Sequence, residues 1–354
     1  MCIVVLLLFA HQATAVQPVR NELQREPRLI HFGPEEGLSS TINDLAIDHQ
    51  GYVWVATGDG LARYDGTKFR HWRRIVGDSA SLPDNEVTLV HVDVHDRLWA
   101  ATWFALSVLD ADQRVPRTIQ FRGDAARCGI DITAITSAKD GVIWIGNYAG
   151  DLCRIGLDGS AIRIQVMLSR SSYMGGSIPV AMTVLPSGNL LIGADTGLWR
   201  VEPNVLHSRP TAIHKNRTDG GGVYVLSPEP TGSVWVGAES GLFLVGADEK
   251  LLPSPWNLPS KSRRATVLRS RDGGHWIGSY YGLYRREAGT VSSGIGKDNG
   301  FGINDGISKI VEDYEGGIWM GGNSKGLLYI PAGDDYFFSI NRSELAGRDT
   351  LINV

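Results

Sequence analysis

Aromatic, acidic and amide side chains recur at one offset along this chain. Four positions beyond a repeating apolar anchor stand Gly58, Trp103, Tyr148, Asp195, Glu239, Tyr280 and Asn323, and one position further come Asp59, Phe104 and Tyr281. Flat ring faces bind apolar or cationic surfaces, while carboxylates and amides fix hydroxyl or ammonium groups, so this set has the chemistry of a sugar or cationic-ligand site. Any one of these residues also reads as a lid packed over its own element; the recurrence is what marks them as a group. Catalytic chemistry has less support. His275 directly precedes Trp276 on an apolar strand-like stretch, the setting of a satisfied histidine more than of a base. His91 and His95 are four apart, which would bring metal ligands together on a helix, but they fall on a strand and the turn after it. No acidic or Cys cluster with ligand spacing accompanies them, so neither a metal nor a cofactor is expected. Asp48, Asp93, Asp140, Asp272 and Asp313 recur near one turn, where an Asp accepts backbone N–H bonds, and are expected to stabilise it.

The elements that position these residues follow from the repeat. The anchors are Trp54, Trp99, Trp144, Leu191, Trp235, Trp276 and Trp319, spaced by 45, 45, 47, 44, 41 and 43 residues, the period of four-stranded propeller blades. Before each anchor lies an alternating apolar stretch such as Ile42–Ile47 or Ile307–Glu312, predicted as an inner strand, A. A polar Asp/Gly turn leads to strand B, which carries the anchor and a Gly or Ala two positions on, a large-then-small pattern suited to close packing of blades. Strand C opens on Gly-Leu in Gly60-Leu61, Gly197-Leu198, Gly241-Leu242, Gly282-Leu283 and Gly326-Leu327. Strand D is less regular, with Phe69–Trp72 the clearest example and Tyr336–Ile340 another. The expected fold is all-β: a seven-bladed β-propeller of four-stranded antiparallel blades over residues 16–340. Strand direction places the B–C and D–A loops on one face, and the recurrent aromatic and acidic set with them. Two segments, residues 28–32 and 336–340, compete for the strand that completes the last blade.

Composition agrees. Of the 354 residues 43 are Gly, without a collagen period, as many tight turns between short strands require. A net charge of −4 supplies no excess of Lys or Arg for phosphates, so nucleic acid is not an expected partner. The run Ile3–Ala10 followed by Ala13-Thr14-Ala15 has the form of an export signal cleaved after Ala15, although no Lys or Arg precedes it. That predicts a periplasmic protein. Of three cysteines, Cys2 lies in the signal, leaving Cys128 and Cys153 either bridged or as two separate thiols. Residues 341–354 read as a tail or the start of a further repeat.

The apolar A strand, Asp-x-x-Gly, Trp144-Ile145-Gly146, Trp276-Ile277-Gly278 and the Gly-Leu-aromatic strand C together resemble the two-component regulator propeller repeat. Phe32–Ser39 and Ser79–Asn85 are similar to its inter-blade phrases, and the resemblance spans about residues 28 to 340. Ala105 in place of the strand-C Gly, Leu191 in place of Trp, and one extra residue before Gly326 depart from it. The resemblance implies a periplasmic input domain of a histidine kinase or diguanylate cyclase receptor that recognises a small molecule, an oligosaccharide or a protein partner. It does not imply an enzyme within this chain, where no Gly-rich phosphate loop and no kinase or cyclase signature occurs. Two other readings stay open: a lyase or hydrolase with its chemistry in the central funnel, and a scaffold that only docks a partner.

Overall fold

A computed structural model describes residues 25–338, except 113–114, 159–160, 170–175, 204–210, 216–220, 257–263, 280–281, 287–293, 297–305, 323–325 and 334–335. Two compact units result, residues 28–335 and a smaller one from the two chain ends. In the smaller unit Arg25–Pro27 pairs antiparallel with Tyr336–Phe338.

The larger unit is a seven-bladed propeller of seven antiparallel four-stranded sheets. In blade 1 the strands run A (Ile42–Ile47), B (Val53–Thr57), C (Gly60–Tyr64) and D (Phe69–Trp72). Blades 2 to 6 repeat that order, with A strands at Val87–Val92, Ile132–Ser137, Pro179–Val184, Val223–Pro228 and Thr266–Arg269. Blade 7 draws A, B and C from Ile307–Glu312, Ile318–Gly322 and Leu327–Ile330, and its fourth strand is Ile30–Phe32 from the other end of the chain. The N-terminal segment therefore wins the competition for the closing strand. Tyr336–Phe338 takes no place in a blade, because its partner is Arg25–Pro27.

Each anchor is buried between its own blade and the next. Trp54 packs with Val87, Val90 and Leu98 of blade 2, Trp144 with Met182 and Ile192 of blade 4, and Trp319 with Ile42 and Leu45 of blade 1. A wholly buried indole removes roughly 200 Å² from water, an upper bound of about 5 kcal/mol per anchor. Leu191 fills the same slot at full burial against Val223, Val234 and Val236. The small residue two places on admits the next A strand: a Cβ on Gly146 would lie 2.7 Å from Pro179, and one on Gly321 2.6 Å from Ile42. The last contact is between blades 7 and 1, so large-then-small patterning closes the ring as well as stacking it.

The recurring Asp residues divide by position. Six before the anchor, Asp48, Asp93 and Asp313 accept the indole N–H of Trp54, Trp99 and Trp319 at 2.8, 2.8 and 2.7 Å and also take turn amides. Glu229 does the same for Trp235 at 2.6 Å. Asp140 and Asp272, four before the anchor, bond other groups: Asp140 accepts from Val142 N, while Asp272 accepts from Gly274 N and the Ser270 hydroxyl and pairs with Arg285 of strand C. Blade 4 has Leu185 at the sixth position, buried like Leu191. Donor and acceptor vanish there together, so the replacement leaves neither one without the other.

Candidate functional site

Side-chain bonds between loops put the B–C and D–A connections on one face, as strand direction requires. Asp59 in the first B–C loop pairs with Arg73, just past the D strand, at 2.8 Å. Asp195 accepts the Ile178 amide at 2.8 Å, and Glu239 holds Arg264 at 2.7 Å while that guanidinium stacks 3.8 Å over the Tyr224 ring. The three acids on this face are thus engaged in fastening their own loops. Arginines neutralise Asp59 and Glu239, which leaves less charge for a cationic ligand. Tyr280, Tyr281 and Asn323 lie outside the described residues.

Trp103 and Tyr148 differ. Trp103 is 44% exposed and Tyr148 61%, with Phe104 beside the former at 71%. Their loops are stitched together by Asp131, whose amide donates to Trp103 O at 2.8 Å and whose carbonyl accepts from Tyr148 N at 2.9 Å. Asp131 sits at φ 50°, a left-handed conformation that costs a non-glycine residue free energy and recurs at ligand clamps. Ile130, next to it, is half exposed.

The loop carrying Ile130 and Asp131 is fixed from below. Its 3₁₀ turn, Gly123–Gly129, is tied to strand C of blade 3 by a Cys128–Cys153 disulfide, so the two remaining cysteines are bridged and not separate thiols. Arg127 Nε donates to Asp151 at 2.8 Å, and Asn147 Nδ2 donates to Arg127 O at 2.7 Å. The side-chain hydrogen bond to Asp151, followed by the Asp151 charge, holds the Arg127 guanidinium above its usual range. Covalent, ionic and backbone constraints converge on four exposed apolar side chains, a preorganised platform on blades 2 and 3. The sequence marks Trp103, Phe104 and Tyr148 by their offset, but Ile130 and Asp131 lie outside that offset. Their only sequence signal is proximity to Cys128.

The histidines are occupied structurally. His275 Nε2 lies 2.8 Å from Glu229, bridging blades 5 and 6, with its ring edge-on to Trp256. His91 Nε2 meets the Ser137 hydroxyl at 2.9 Å, and the His95 ring lies over Gly141 of blade 3. Among the described residues no group of His, Cys, Asp or Glu has the arrangement of a metal site.

The two component regulator propeller family model matches residues 36–59, the A strand, A–B turn and B strand of blade 1. No curated protein matches the chain in sequence. Among solved structures, the extracellular domain of a hybrid two component system from B. thetaiotaomicron superposes with a TM-score of 0.69 at 21% identity, over 86% of this chain and 42% of that one. The chain therefore spans less than half the length of that domain. Virginiamycin B lyase from Staphylococcus aureus, solved with quinupristin, gives 0.65 at 11% identity over 87% and 99% of the two chains. PorZ, a surface component of the type-IX secretion system of Porphyromonas gingivalis, gives 0.65 at 17% over 87% and 48%. All three share the propeller fold with this chain.

Proposed function

We propose that this chain is an exported ligand-sensing propeller, the input portion of a two-component or diguanylate cyclase receptor, which binds a neutral, ring-faced ligand on the blade 2–3 platform. The observation that carries the reading is the exposed Trp103, Phe104 and Tyr148 cluster on loops held by the disulfide and Asp131. Exposed aromatics on mobile loops would lose binding energy to ordering; these are ordered beforehand. Since Asp59 and Glu239 of the same face are already paired with arginines and Asp195 holds a backbone amide, stacking on a sugar ring or a similar neutral face suits the platform better than capture of a cation. The paired cysteines and the extracellular neighbours support export, and the regulator-propeller match at residues 36–59 supports the receptor context.

The test is a thermal-shift and Trp-fluorescence screen of the chain against neutral oligosaccharides and amino compounds. A neutral glycan is expected to bind, with Trp103→Ala and Tyr148→Ala each weakening it about tenfold, as loss of one stacking face implies. No saturable binder in that library, or full retention of binding in both variants, would overturn the reading.

A further inference from the structure

The inner strands of the propeller line a central channel of about 380 Å³, room for roughly a dozen waters. In blades 1 to 5 and 7 the A–B register slips once, at the same place in strand A. Such a bulge re-aims the side chains beside it. The residue just past the slip stands ten positions before the anchor, and together these residues form one layer of the channel wall. Five blades contribute Leu89, Ala134, Ala181, Val225 and Thr266, all neutral. Blades 7 and 1, adjacent in the ring, contribute Lys309 and Asp44.

Lys309 Nζ lies 3.1 Å from Asp44 Oδ1. The pair links blade 7 to blade 1, but linkage alone does not call for charges, since neutral side chains serve at the other five positions and a buried ion pair is seldom more stabilising than apolar replacements. The two ends of the pair are not equivalent. Asp44 is only 10% exposed and already accepts the Leu45 and Val90 amides at 2.9 and 3.1 Å. Lys309 is 42% exposed and has three protons, of which Asp44 takes one. A cation with donors to spare therefore faces a chamber that, Asp44 and His91 apart, is lined by neutral side chains. His91 lines the same chamber and adds no charge at neutral pH, because burial, followed by the Lys309 ammonium, holds it down to about 4.

We propose that the central channel is a second binding site, for a small organic carboxylate whose anionic end meets Lys309 and whose short apolar body lies against the neutral layer. It is separate from the aromatic platform, and neither proposal depends on the other. The probes are acetate, butyrate, benzoate and succinate, each titrated calorimetrically into the intact chain, with butyramide and benzamide as neutral isosteres. At least one carboxylate is expected to saturate, with its amide about tenfold weaker. Lys309→Met should lose that binding, Lys309→Arg should keep it because the cation is retained, and Trp103→Ala should leave it unchanged. Equal binding of acid and amide, no saturation by any of the four acids, or undiminished binding in Lys309→Met would each overturn the proposal. The comparison of acid with amide uses the unaltered chain, so it decides even if the Met variant fails to fold.

Discussion

An aspartate six residues before an anchoring tryptophan does three things at once. Asp48 takes the Gln50 and Tyr52 amides on one oxygen and the Trp54 indole on the other, so the turn that starts strand B is fixed to the side chain that strand B buries. Asp140, four before Trp144, is exposed and takes the Val142 amide at 3.1 Å. Removing the first leaves a buried indole N–H and two amides without their acceptor, so Asp48→Ala should cost about 2–4 kcal/mol. Asp140→Ala should cost less than about 1 kcal/mol. Denaturant unfolding of the two variants checks this, and equal losses would show that the indole bond adds nothing. At this scale the sequence is legible as far as the anchors, because a Trp every forty-odd residues has no other use in so regular a phrase. It does not distinguish the two Asp positions, since both lie near the same turn and only the direction of each side chain separates their roles. The acids of the B–C and D–A loops are similarly opaque: Asp59 and Glu239 look available until their arginines, 14 and 25 residues away, are seen folded back on them.

The element that completes the ring is three residues long. Ile30–Phe32 pairs with Leu327–Tyr329, and Phe32 stacks at 5.6 Å on Trp319 while touching Tyr64 and Phe69 at 5.4 and 5.5 Å. One ring thus joins the N-terminal strand, the B strand of blade 7, and blade 1. Periodicity could not choose between this strand and Tyr336–Ile340, because both are short apolar stretches and pairing depends on which edge each can reach. Phe32→Ala removes the aromatic contacts without altering backbone pairing, and should cost about 3 kcal/mol. Because the lost contacts join the two ends of the repeat, thermal melts should also lose cooperativity; a similar cost with an equally sharp transition would mean that closure rests on the backbone pairing alone. The channel pair was readable in principle. Aligning the seven A strands on their anchors shows Asp44 and Lys309 as the charged members of one column, but nothing in a single strand says that this column faces the channel.

Across the whole propeller, two partly buried groups in different blades are set so that acid loosens it. His91, on the channel wall, is held at about 4 by burial and by Lys309, against the opposing pull of Asp93 and Asp44. The unfolded chain binds that proton near pH 6.5, so stability contributed by neutral His91 is complete above about 6.5 and is lost as pH falls toward 4, a change of about 3 kcal/mol. Glu229 works in the same direction. Burial alone would raise its carboxyl, but bonds from the Trp235 indole and the His275 ring outweigh burial and leave it below its usual range. Its contribution is present above the unfolded carboxylate pKa and disappears as pH falls through the lower folded value. The two effects separate by window, His91 acting between about 6.5 and 4 and Glu229 below the ordinary carboxylate range. Melting temperature should therefore hold steady above about pH 6.5 and decline in two stages. His91→Gln, which keeps a polar side chain in the channel but cannot take up the proton, should flatten the first stage and leave the second intact. A first stage of undiminished size in that variant would assign the upper window to another group.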